Sequence, residues 1–178
     1  LTGQRSVFAH CVHLEDTEWK CMHDTNSAIA FCPTSNLFLG SGLFPLKKTW
    51  DQQVKVGLGT DIGAGTSFSL LQTVNEAYKV QQLQGDKLSA YESLYHATLG
   101  GAKALDLDDK LGNFNVGKEA DFVVLDLKAT ALQQLRQSRA KSIEDSLFAL
   151  FTMGDDRNIE ATYIYGQKAY EQNQTKTA

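Results

Sequence analysis

Short apolar runs, each ended by a small or polar residue, recur through the first third of the chain. Ser6-Val7-Phe8-Ala9 leads to His10, and Ala28-Ile29-Ala30-Phe31-Cys32 leads to Pro33. Val54-Lys55-Val56-Gly57-Leu58-Gly59-Thr60 leads to Asp61. Runs of this length, rich in β-branched and aromatic residues, read as strands. Between them the spacing is helical. An acidic turn, Glu15-Asp16-Thr17-Glu18, opens one helix through Trp19, Met22 and His23, and residues 47–53 make a second, brief one. Pro33 is read as stopping its strand, with residues 34–42 as a long loop. Strand and helix alternate at about 25 residues per unit, the size of βα units with short loops. The pattern predicts an α/β fold with a parallel sheet and right-handed crossovers, in three units too few to close an eight-stranded barrel.

Beyond Asp61 the pattern is helical. Ser67 or Ser69 is placed to cap a helix with Leu70, Leu71, Val74, Ala77 and Tyr78 on one face. Ser89 with Glu92 forms a capping box for a second, through Leu94, Ala97 and Thr98. Gly100-Gly101 either breaks that helix or packs it closely before Ala102 to Leu107. From Leu111 to Lys118 the chain is turn-rich, and Asp121 to Asp126 reads as a strand. Helical stretches follow at 131–139 and 143–153, the latter with Leu147, Leu150 and Phe151 as its apolar face. Ile159 to Tyr165 alternates as a strand, Gly166-Gln167 offers a hairpin turn, and a frayed polar tail is expected from Glu171. These shifts divide the chain at about residue 107, into 1–107 and 108–178.

Composition removes several function classes. Of 178 residues, 42% are hydrophobic and 21% charged, which is the balance of a soluble globular chain. A formal charge of −4 gives no basic footprint for nucleic acid, and no apolar run is long enough to cross a bilayer. Cys11, Cys21 and Cys32 form neither a CxxC pair nor a disulfide framework, so each is expected reduced in or near a core, in the cytoplasm. The first residues carry no signal peptide, and with no initiator methionine the chain reads as if entered midway.

The chemistry candidates sit at the strand ends. Ligands of parallel α/β sheets bind outside the carboxyl ends of the strands, where His10 and Asp61 both fall. An aspartate after a strand is more often a turn former or helix cap, and a lone histidine there is more often structural. Ser35 and Asn36 are read as satisfying backbone groups of a turn, with contact to the site loop as the alternative. His23 and His96 lie on helices and are read as structural, and His13 has no assigned role. Asp155, Asp156 and Arg157 read as a local charge network that positions the C-terminal helix and strand.

Taken together, four segments resemble the amidohydrolase superfamily. Ala9-His10-Cys11-Val12-His13-Leu14 is similar to its Ala-His-x-x-x-Leu strand end, and Phe31-Cys32-Pro33-Thr34-Ser35-Asn36-Leu37 to its Cys-Pro-x-Ser-Asn-Leu loop. Gly57-Leu58-Gly59-Thr60-Asp61 is similar to the Gly-x-Gly-Thr-Asp ending the last barrel strand. Thr98-Leu99-Gly100-Gly101-Ala102, with Gly112, Gly117-Lys118 and Ala120-Asp121, resembles the passage back into a small β-domain. Gly154-Asp155-Asp156-Arg157-Asn158-Ile159 narrows the resemblance to the guanine deaminases.

The resemblance implies the last three βα units of a metal-dependent (β/α)8 barrel, plus the C-terminal part of a small β-domain. It implies deamination of guanine to xanthine and ammonia by a zinc-activated water. Asp61 would bind the metal and accept the proton of the water, and His10 would bond the hydroxide and stabilise developing charge. The family's His-x-His pair, fifth-strand histidine, acid/base glutamate and purine contacts have no counterpart here. They are expected in a missing N-terminal part, without which this chain is expected to be inactive and to hold zinc poorly. The intact protein is expected to form a homodimer. Two alternatives stand beside this: an amidohydrolase for another aminated or chlorinated heterocycle, and a non-catalytic self-contained module. The His-x-Glu and Pro-Cys-x-x-Cys signatures of the cytosine deaminases are absent.

Overall fold

A computed structural model describes residues 1–172. The strands β1 (Val7–Ala9), β2 (Ala28–Phe31) and β3 (Lys55–Leu58) form one parallel sheet in the order β1-β2-β3. The predicted βα rhythm is thus observed. β2 is the central strand, and its Ala28, Ile29 and Phe31 are fully buried.

The first crossover is α1 (Asp16–Asp24). Glu15 caps it, with Glu18 accepting from the Glu15 backbone N–H at 2.8 Å. Trp19 and Met22 are buried on its inner face, while His23 and Cys21 point outward. Cys21 is exposed and not near a core as expected, because it lies on the solvent side of α1. The second crossover departs from the sequence reading. Pro33 does not merely end β2; it occupies the first turn of α2 (Pro33–Phe38), where a missing N–H costs nothing. A small-residue stretch read as loop is therefore helix, and it carries Ser35 and Asn36 inward, both buried. α3 (Leu46–Asp51) then leads into β3. Phe44, just before it, packs on Phe31 with ring centroids 4.7 Å apart, close to Trp19.

Behind β3 lie α4 (Leu70–Leu83), α5 (Ala90–Ala97) and α6 (Leu99–Ala104). Val74 and Ala77 of α4 are buried, and Ser89 caps α5 with the predicted Glu92 box. The break between α5 and α6 falls at Thr98, and Gly100-Gly101 is the close-packing element. A Cβ on Gly57 would lie 2.7 Å from the Gly101 Cα, so strand and helix touch backbone to backbone.

The remaining chain forms β4 (Phe122–Leu125), α7 (Ala131–Gln137), α8 (Ile143–Met153), β5 (Ile159–Ile164) and β6 (Gln167–Glu171). β4, β5 and β6 make an antiparallel sheet in that order. The hairpin turn is Tyr165-Gly166, one residue earlier than expected, with both residues at positive φ. α8 packs against α4 and α5 through Leu150 and Phe151, with Tyr78 and Phe148 in edge contact at 5.2 Å. The polar tail expected from Glu171 lies outside the described residues, apart from Glu171, which closes β6, and Gln172 beside it. No helix among the described residues is long and apolar enough to cross a membrane.

Candidate active site

The central strand fixes the site. The His10 N–H bonds the Ala30 carbonyl at 3.0 Å on one side of β2, and the Gly59 N–H bonds the Phe31 carbonyl at 2.9 Å on the other. Both bonds extend the ladder past the strand ends, so the tips of β1 and β3 are registered against the same two residues. Beyond those tips the backbone turns left-handed. His10, Cys11 and Asp61 have φ of 68°, 52° and 48°. For residues other than glycine such backbone costs on the order of 1–3 kcal/mol, and it concentrates where a side chain must be aimed.

That turn brings the two sequence candidates together. The Nε2 of His10 lies 3.7 Å from the Oδ2 of Asp61, with the side chains 42% and 33% exposed. The loop after Asp61 folds tightly back onto it, with the Gly65 and Ala64 N–H groups both reaching the Asp61 carbonyl. A Cβ on Gly65 would fall 2.0 Å from the Thr60 carbonyl oxygen, so this loop admits only glycine there.

A third residue belongs to the group. The Oδ1 of Asn36, on α2, lies 2.7 Å from the Nδ1 of His10, and Asn36 is 1% exposed. The sequence reading treated Asn36 as a turn former. Ser35 fits that reading, since its hydroxyl donates to the Cys32 carbonyl at 3.2 Å, but the Asn36 side chain is spent on His10. The available signal was Pro33, whose place at a helix start turns the following Ser-Asn inward.

Two thiols lie near the site. Burial, with the Asp61 charge next, pushes the Cys32 thiol up to about 11, and burial, with Glu18 next, does the same for Cys11. Without a metal both stay protonated near neutral pH. Among the described residues no group of three or more His, Cys, Asp or Glu side chains could hold a metal ion. A catalytic zinc takes about three protein ligands and a water. His10 and Asp61 by themselves therefore do not fit one.

The other candidates lie apart. His13 Nε2 meets the Ser41 carbonyl at 2.8 Å. His96 is 1% exposed on α5 and borders a cavity of about 50 Å³ with Val54 and Val56, residues at the opposite end of β3 from Asp61. Asp155 pairs with Arg157, whose guanidinium holds the Asp155 carboxyl below the usual range. The buried element there is Asn158, fully enclosed. Its amide exchanges hydrogen bonds with the Gln133 amide at 3.0 and 3.1 Å and also donates to the Asp126 carbonyl.

Known proteins share this fold. The guanine deaminase of Escherichia coli (strain K12) is 65% identical over 97% of this chain, which spans 39% of that protein. The solved E. coli guanine deaminase matches with a TM-score of 0.96, over 97% of this chain and 40% of that one. A guanine deaminase from C. acetobutylicum, solved with guanine in its active site, matches at 30% identity and a TM-score of 0.79, over 92% of this chain and 39% of that one. A zinc-bound adenosine deaminase from Xanthomonas campestris matches at 28% identity and a TM-score of 0.81, over 97% of this chain and 38% of that one. The chain thus covers less than half the length of each of these proteins, and its parallel sheet is a partial (β/α)8 barrel. The model of the amidohydrolase family matches residues 1–169, and the chain belongs to that family.

Proposed function

We propose that this chain supplies part of the active site of a guanine deaminase, with Asp61 and His10 as its reacting side chains. The observation that carries the reading is the 65% identity to a guanine deaminase across nearly the whole chain. The convergence of His10 and Asp61 at the carboxyl ends of β1 and β3 supports the site. In this reading residues 1–107 belong to the barrel, and residues 108–178 hold the strands of a small β-domain with its closing helices.

The reaction joins one guanine and one water to give one xanthine and one ammonia. A bond forms between C2 and the water oxygen, and the bond from C2 to the amino nitrogen breaks. One water proton stays on the ring nitrogen and the other leaves with ammonia. Asp61 is the base that takes a proton from the water and passes it toward the leaving amine. His10 holds the incoming oxygen from the other side. A zinc ion, when bound, makes the water acidic enough to react near neutral pH. Its remaining ligands would come from residues outside this sequence, as would strands covering the outer edges of β1 and β3, which among the described residues pair with β2 alone.

The test is turnover by the full-length protein that carries this sequence. Asp61→Asn is expected to lower xanthine formation by about 100-fold or more, with unchanged circular dichroism. Unchanged turnover in that variant overturns the site. A full-length protein that leaves guanine untouched while converting a chlorinated triazine overturns the substrate.

A further inference from the structure

The geometry points to Asn36 as a positioning residue that sets which nitrogen of His10 carries the proton. An amide oxygen only accepts hydrogen bonds, so with the Asn36 Oδ1 turned to Nδ1 at 2.7 Å it is Nδ1 that carries the proton. In the neutral ring the proton is then absent from Nε2, and Nε2 is the atom turned toward Asp61. His10 therefore meets an incoming oxygen as a hydrogen-bond acceptor, and Asp61 remains the base.

Asn36 is built to hold that bond. Its backbone is tied at both ends, its N–H donating to the Cys32 carbonyl at 3.1 Å and its carbonyl accepting from the Ser41 N–H at 2.8 Å. Its side chain is buried, so no bulk water competes for Oδ1. The ring it holds is 42% exposed and stands on left-handed backbone. An imidazole placed this way is only partly packed, and the amide supplies a fixed point for its plane. The other amide atom, Nδ2, is buried with no partner among the described residues.

The catalytic meaning of this inference rests on the proposed deaminase reading, but the proton's location does not. The experiment uses the full-length protein labelled with 15N at histidine, together with Asn36→Ala and Asn36→Leu. The wild-type His10 is expected to show a protonated Nδ1 and a bare Nε2, and both variants are expected to show a mixture of tautomers. In the variants kcat for guanine is expected to fall about 10- to 100-fold with KM changed less than about threefold, the signature of a misoriented group and not of lost substrate binding. A wild-type ring protonated at Nε2, which a reversed Asn36 amide would produce, overturns the inference without needing any variant to fold. So does a tautomer ratio that does not change in either variant. If guanine is not turned over but the Nδ1 proton depends on Asn36, the positioning role stands and the deaminase reading falls.

Discussion

Gly57 of β3 and Gly101 of α6 meet so closely that a Cβ on the first would lie 2.7 Å from the Cα of the second. The contact is backbone on backbone, so neither partner can rotate out of the way. It sets how near α6 comes to the strand that ends in the Asp61 loop. Gly57→Ala is expected to push α6 off the sheet and cost about 1–3 kcal/mol. Thermal or urea unfolding measures it, and a variant as stable as the parent would show that the two elements are free to separate.

The Gln133–Asn158 amide pair is the corresponding tie in the C-terminal part. Asn158 is fully buried, accepts from the Asp155 N–H at 3.0 Å and donates to the Asp126 carbonyl, linking β4, α7 and the turn before β5. Asn158→Ala removes this hub and leaves the Gln133 amide and the Asp126 carbonyl short of partners. The expected loss is about 2–4 kcal/mol, since each buried group left unpaired costs about 1–3 kcal/mol. Arg157→Ala, which removes a partner that is 62% exposed, is expected to cost under about 1 kcal/mol. Equal losses in the two variants would contradict this ranking.

His96 makes stability depend on pH. Burial lowers its pKa, opposed by the backbone of Val56, toward which the ring is turned, and by the charge of Glu92. A histidine lowered in the folded state takes up its proton more readily when unfolded. Its contribution is therefore present above the unfolded value of about 6.5 and is lost as pH falls from there through the folded value. The urea midpoint is expected to drop between pH 7.5 and pH 5, and His96→Phe is expected to flatten that limb. An identical pH dependence in the variant would remove His96 as its source.

The parts of the fold that could be read in advance are those where local chemistry and tertiary packing agree. The strand runs ending at Leu58 and Phe31, the acidic turn from Glu15 to Glu18 and the capping box at Ser89 each specify one structure, and each forms it. α2 could not be read because Pro33 carries two opposite meanings, strand stop and helix start. Only the packing of Ser35 and Asn36 against the sheet decides between them. The same ambiguity concealed the Asn36–His10 bond, since a helix turn is what carries the amide under the tip of β1. The convergence of His10 and Asp61 was legible as two strand ends. Their 3.7 Å approach depends on left-handed backbone that no sequence pattern announced.

That left-handed backbone separates two properties that a substitution usually changes together. At Asp61, with φ of 48°, asparagine keeps a side chain that tolerates the conformation and removes only the charge. Valine or isoleucine would remove the charge and also force the loop to a different shape. A mutational survey of this position should therefore divide into two groups: substitutions that silence the chemistry inside an intact scaffold, and substitutions that rebuild the scaffold. The first group alone can measure what the carboxylate does.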